Sequence, residues 1–358
     1  MEELRRYCCI RDIPTQVRTD MVLSIIEASR FSDMHWKRLA VDQAKVLTID
    51  LDDNYAKSCL AQKQSLLHRL SGETNLAFSV LPHDVSGGVS GRLHATYGHT
   101  LIQRAINHVQ IDQLDKATDL LKAWQPMPGP LTLMGQVVLF RQHLLLGKIL
   151  RYRGDFTRSL SHLQRSINIK NTVEDLIFLE DASDLVSNLA DTYIELDCPD
   201  TAEICLRAEL ERQNSNHATL TVALAESMFA QEKFYEAKAL CLTLHPPLKL
   251  LKMEKLRLSI VQAKLSHVEY QYDAAINYWT AAMAHLNRFT LACGRTTRIM
   301  LLSQRAILRR QGHPDLERET SDHLSTLEIY TGACGALYWI AGLRHWLEYL
   351  ESVGALSP

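Results

Sequence analysis

The 358 residues carry a formal net charge of -2, with 46% hydrophobic and 22% charged side chains. That balance suits a folded chain long enough to bury a large core, and it argues against the chain-wide basic footprint of a nucleic-acid-binding protein. No stretch reaches the roughly 18 uncharged apolar residues of a membrane-spanning helix, and the opening MEELRRYCCIRD lacks the apolar core of a secretory signal. The chain therefore reads as cytoplasmic or nuclear, with no membrane and no nucleic-acid partner.

Taken in order, residues 1–70 form an N-terminal helical segment with helices expected near 16–30, 33–48 and 53–70. Pro14 precedes the first, Ser32 or Asp33 can cap the second, and Asp52 or Asp53 the third. Residues 71–92 collect Gly72, Gly87, Gly88, Gly91 and Pro82, the composition of a linker or loop. Further breaks fall at the proline-rich QPMPGP of 125–130 and at Pro246-Pro247. The span 155–293 contains no glycine and is rich in strong helix formers, which disfavours hairpins and βα turns. Its apolar residues recur at helical spacing, as in Leu185, Leu189, Tyr193 and Leu196.

A repeat emerges when pairs of helices are aligned. The segment LGKILRYRGDFTRSLSHLQRSI, residues 146–167, places Gly147, Leu150, Gly154-Asp155-Phe156, Ser159, Leu163 and Ser166 in a small-large-turn-small-large-small order. Small residues twelve apart recur at Ala105/Ala117, Ala190/Ala202, Ala225/Ala237 and Ala263/Ala275, and a degenerate pair follows near 297–327 with Gly312 and Pro314 in its turn. Small side chains where two helices cross let the backbones approach, and neighbouring pairs must stack to bury their apolar faces. The pattern resembles the tetratricopeptide repeat, across roughly residues 93–330. The resemblance implies an all-α fold: a right-handed superhelix, or solenoid, of antiparallel helix pairs.

The C-terminal part, residues 331–358, is read as a capping helix and tail. LYWIAGLRHWLEYLESV puts Leu337, Ile340, Leu343, Leu347 and Leu350 near one face, surrounded by Tyr338, Trp339, Trp346 and Tyr349. Such a helix either covers the open end of the last repeat or docks a partner or a dimer mate, so a homodimer through the C-terminal helix is one expectation.

Little in the sequence points to catalysis or a cofactor. None of the eight cysteines forms a C-x-x-C pair, and they read as reduced and mostly buried. The fifteen histidines lack the spacing of a helical zinc site, so no metal is expected. Asp50, Asp52 and Asp53 resemble the start of an aspartate-rich magnesium motif, but no further acid follows at the right spacing, and helix capping accounts for them better. Gly87-Gly88-x-x-Gly91 lacks the Lys-Ser/Thr of a phosphate loop.

The resemblance implies that the first helix of each pair lines a concave groove. Carried onto this chain, it puts Arg141, Leu144, Lys148, Arg151 and Tyr152 on one column. Asp184, Ser187, Asp191, Ile194 and Glu195 form the next, and Thr219, Val222, Glu226, Phe229 and Ala230 the third. Arg257, Ile260, Lys264, His267 and Val268 form the fourth. Basic and acidic columns thus alternate around an apolar patch. Such a surface suits a peptide or partner helix, unless neighbouring columns mainly pair with each other. The leading expectation is a protein-interaction scaffold, adaptor or regulator with a protein or peptide partner. The alternative is a non-standard enzyme or small-molecule binder using the groove as an enclosed pocket, with His108, His267, Asp191, Glu195 and Glu226 as acid-base candidates.

Overall fold

A computed structural model describes residues 13–28, 34–49, 51, 53–82, 91–173, 176–212, 217–244, 250–286, 294–331 and 340–356. The described residues contain helices and turns and no strand. Two compact units divide the chain, Met1–Leu139 and Phe140–Pro358.

In the first unit, α1 (Thr15–Ala28), α2 (Met34–Ile49) and α3 (Asn54–Leu70) pack on one another through Val22, Leu23, Val41, Ala44, Leu47, Leu60 and Leu67. Asp53 caps α3 by accepting a hydrogen bond from the Tyr55 amide at 2.9 Å. Asp50 and Asp52 lie outside the described residues. Within the stretch expected as a linker, Thr74–Ser79 forms a short helix, α4, and Ala77 and Leu81 are buried. The Ala77 carbonyl there accepts from Ser65 Oγ at 2.7 Å and from Asn107 Nδ2 at 3.1 Å. The glycine cluster at 87–88 lies outside the described residues. Next come α5 (Gly91–Gln110) and α6 (Leu114–Ala123), which form the first helix pair. Buried Trp124 donates from Nε1 to the His94 carbonyl at 3.1 Å. A Cβ at Gly98 would stand 2.7 Å from that same Nε1, so only glycine admits the indole here.

The boundary between units falls inside α7 (Leu133–Tyr152), which pairs with α8 (Phe156–Thr172). Four more pairs follow: α9 (Leu179–Glu195) with α10 (Pro199–Leu210), α11 (His217–Ala230) with α12 (Phe234–Thr243), α13 (Lys252–Val268) with α14 (Tyr272–Leu286), and α15 (Gly294–Gln311) with α16 (Pro314–Thr331). The first helices also pack side by side, α9 on α11 and α11 on α13. The chain is thus an all-α helical-repeat array. Its last described helix is α17 (Leu343–Ser352). The expected turn at Pro246-Pro247 lies outside the described residues.

All six pairs turn the same way. One residue enters the left-handed region, at Asp112, Gly154, Asp197, Glu232, Tyr270 and Gly312, with φ between 58° and 82°. The next amide then bonds the carbonyl five residues back, as in Asp155 to Leu150 at 2.9 Å and Lys233 to Met228 at 2.9 Å. This is the Schellman closure of a helix end. Four of the six positions are not glycine, and three of them, Asp197, Glu232 and Tyr270, make the turns of the glycine-free span, at a cost of about 1 kcal/mol each.

Seven residues before each such position and five after it lie the crossing residues. Ala105/Ala117, Ala190/Ala202, Ala225/Ala237 and Ala263/Ala275 are all fully buried. At the Gly147/Ser159 crossing, Ser159 Oγ donates to the Gly147 carbonyl at 2.8 Å. A Cβ on Gly147 would lie 2.7 Å from Leu163, which accounts for the glycine. In the last pair the equivalent positions hold Arg305 and Glu317, so that crossing lacks the small residues of the others.

Candidate functional site

The predicted groove residues lie on the first helices of the second unit, and most of their charges are paired. Arg141 reaches Asp181 at 2.7 Å, and Lys148 reaches Asp184 at 2.9 Å. Asp191 takes two guanidinium groups, Arg151 at 3.4 Å and Arg257 at 2.6 Å. Arg257 also donates to Ser187 at 3.0 Å, so its side chain passes over α11 to reach α9. The Arg151 guanidinium lies 4.9 Å from the centre of the buried Tyr152 ring. Glu226 and Lys264 form a fully buried ion pair, with the ammonium 4.6 Å from the Phe229 ring centre. The alternating columns expected from the sequence therefore largely neutralise one another: the Lys148–Asp184 pair is partly exposed, while Asp191 with Arg151 and Glu226 with Lys264 pair in the interior, where an unpaired charge would be costly.

One carboxylate turns elsewhere. The Glu195 side chain is 0% exposed, and it ends α9, where the helix dipole disfavours negative charge. It accepts from the backbone N–H of Gly342 at 2.9 Å and from Arg344 Nε at 3.2 Å. Arg344 Nη2 also donates to the Glu195 carbonyl at 2.9 Å, and His345 Nε2 lies 3.0 Å from the Ile194 carbonyl. The last carbonyls of α9 thus face side-chain donors from the first turn of α17, while the capping amide of α17, that of Gly342, faces the Glu195 carboxylate. Two helix termini of opposite polarity meet.

The rest of this segment crosses the neighbouring first helices. Gly342 adopts φ 74°, and a Cβ there would run into Glu226 Oε1, with Lys264 Nζ at 3.4 Å. The buried Trp346 ring lies 5.1 Å from His267, 6.0 Å from Phe229 and 6.1 Å from Trp279, centre to centre, and its Nε1 donates to Ser303 Oγ at 2.9 Å. Burial pushes the His267 imidazole down to about 4, assisted by the charge of Arg310. Its Nδ1 has no hydrogen-bond partner among the described residues.

Of the predicted residues, Glu195, Glu226, Phe229, Lys264 and His267 meet at this seat, whereas Arg141, Lys148, Arg151, Tyr152, Asp184, Asp191 and Arg257 form the charged lattice beside it. His108 lies in the first unit, where Nδ1 contacts Gln113 Oε1 at 2.9 Å and the ring packs 4.7 Å from Phe78. The acid-base candidates Asp191, Glu195 and Glu226 each pair with a cation. Sequence reading missed Asp181, Gly342, Arg344 and Ser303. Gly342 carried the one available signal, a glycine inside an otherwise apolar helical pattern. It ends the expected long helix: the described helix begins only at Leu343, and residues 332–339 lie outside the described residues. Of the apolar face read from the sequence, Ile340, Leu343 and Leu350 are buried within the chain itself, Leu347 is half-buried, and Leu337 lies outside the described residues.

Four cysteines fall among the described residues; Cys241 is buried, Cys59 and Cys205 are half-buried, and Cys198 is exposed. No described helix is long and apolar enough to cross a membrane.

No protein-family model matches the chain, and no curated protein matches it. Among solved structures, the chain is similar to a Signal Transduction ATPase with Numerous Domains (STAND) protein with a tetratricopeptide repeat sensor from Pyrococcus horikoshii, at 12% identity and a TM-score of 0.45. The match covers 89% of this chain and 54% of that one, so the chain spans about half the length of the structure it matches.

Proposed function

We propose that this helical-repeat array is a protein-interaction scaffold whose first-helix face receives a helical segment of a partner. The observation that supports this reading is the seat formed by α9, α11 and α13, which already holds a helix start, that of α17, through both polar and aromatic contacts. A surface that binds one helix terminus with main-chain and side-chain bonds suits helix recognition better than chemistry. The enzyme alternative finds no pair of free titratable groups among the named candidates.

Position-specific photo-crosslinking in native extract tests the reading. A crosslinking residue in place of Ala230, exposed at the end of α11, is expected to capture a partner protein. The same residue in place of Tyr235, 86% exposed on the second helix of that pair, is expected to capture none of it. Capture from position 235 but not from 230 would place binding on the second-helix face and overturn the reading.

A further inference from the structure

Segment 340–350 does more than cover the end of the array. A cap for the final pair needs to touch only α15 and α16, because each repeat contacts its neighbours. This segment instead reaches back to α9, three pairs earlier, and binds there through specific polar groups. Its features lie in five residues. Gly342 supplies a left-handed cap with no Cβ, fitting against the Glu226–Lys264 pair, and gives its N–H to Glu195. Arg344 holds both the Glu195 carboxylate and the Glu195 carbonyl. Trp346 fills the space between Phe229 and His267 and bonds Ser303. The seat is also incomplete without the segment. The Glu195 contacts described above all come from it, so its departure would leave that carboxylate without these partners at the wrong end of a helix dipole.

We propose that segment 340–350 is a resident stand-in for a partner, and that the seat recognises a helix start of the pattern Gly-x-Arg-x-Trp offered by another protein. This rests on the scaffold reading above and gives its partner a chemistry: a helix whose capping residue is glycine, with arginine two residues on and tryptophan four residues on. The resident copy is tethered and sits at high effective concentration, so an incoming helix binds in proportion to the fraction of chains whose seat is open.

The test uses the full chain and a fluorescent peptide of residues 340–356, read by anisotropy. Wild type is compared with Arg344→Ala/Trp346→Ala, which loosens the resident segment but leaves the seat intact. The doubly substituted chain is expected to bind the peptide at least 10-fold more tightly than wild type. A peptide carrying Arg344→Glu should bind it at least 10-fold more weakly, and so should the unmodified peptide when the chain also carries Glu195→Gln. Circular dichroism and a single thermal transition confirm that each chain is folded. Should the double variant fail to fold, Arg344→Ala alone carries the comparison, with a several-fold gain in peptide binding expected. A folded, loosened chain that does not bind the peptide, binds it no better than wild type, or binds the Arg344→Glu peptide equally well overturns the proposal and leaves α17 as a permanent structural helix. That failure is distinct from failure of the scaffold reading, because the peptide experiment involves no outside partner, whereas the crosslinking experiment reads the capture of one.

Discussion

His267 is the residue whose environment departs furthest from what its position alone suggests. The sequence reads it as a groove residue on a basic column and as an acid-base candidate; it is buried among Trp346 and Tyr272, with its imidazole pushed down to about 4. His143 is also pushed down to about 4, by burial first and then by the neighbouring His162, whose Nδ1 lies 2.9 Å from its own. Both groups stay neutral in the folded chain at pH values where the unfolded chain takes up protons. The unfolded state therefore binds more protons between about pH 4 and 6.5, and stability falls as pH drops through that window and is flat above it. For His267 the full effect is on the order of 3 kcal/mol, about 2 of which should be lost between pH 7 and pH 4.5. Urea midpoints at pH 7.0, 5.5 and 4.5 measure it. A His267→Phe chain should show a shallower decline than wild type, and an identical decline would mean that His267 titrates normally.

At the scale of elements, the helix pairs were readable because crossing geometry imposes itself on sequence: two backbones approach only where both side chains are small, and the spacing of twelve follows from one helix, one turn and the return. The turns were less readable. Gly154 and Gly312 announced theirs, but Asp197, Glu232 and Tyr270 take the same left-handed conformation with side chains that give no such signal. The charged columns lie on the first helices, and their pairing depends on the stagger between helices. Arg257 passes its adjacent helix to reach Asp191, 66 positions away, and no local spacing encodes that. The buried Glu226–Lys264 pair makes the energetic point testable. Glu226→Ala leaves an ammonium buried and should cost about 3–5 kcal/mol, as should Lys264→Ala for the opposite reason. Replacing both, as Glu226→Leu/Lys264→Met, should cost less than either single change. Chemical denaturation of the three variants decides it, and additive losses would show that the two groups do not act as a pair.

For the molecule as a whole, the contact between Glu195 and the start of α17 changes how the array should come apart. A chain of repeats joined only to their neighbours frays from its ends, each pair opening almost independently of pairs further along. Here a bond across 147 positions ties the third pair of the chain to the segment that follows the last. Closing so long a loop is entropically costly, but once closed it couples the opening of α9 to that of α17. Arg344→Ala removes the side chain that holds both the carboxylate and the terminal carbonyl of Glu195. Hydrogen exchange should then accelerate several-fold at two separated places in one variant: the first turns of α17, and the last turn of α9 around Tyr193–Asp197. The amides of α8, in the preceding pair, should keep wild-type rates. If only α15, α16 and α17 lose protection, the long-range bond contributes nothing to the array's cooperativity, and the second unit behaves as a simple stack with a loosely attached end.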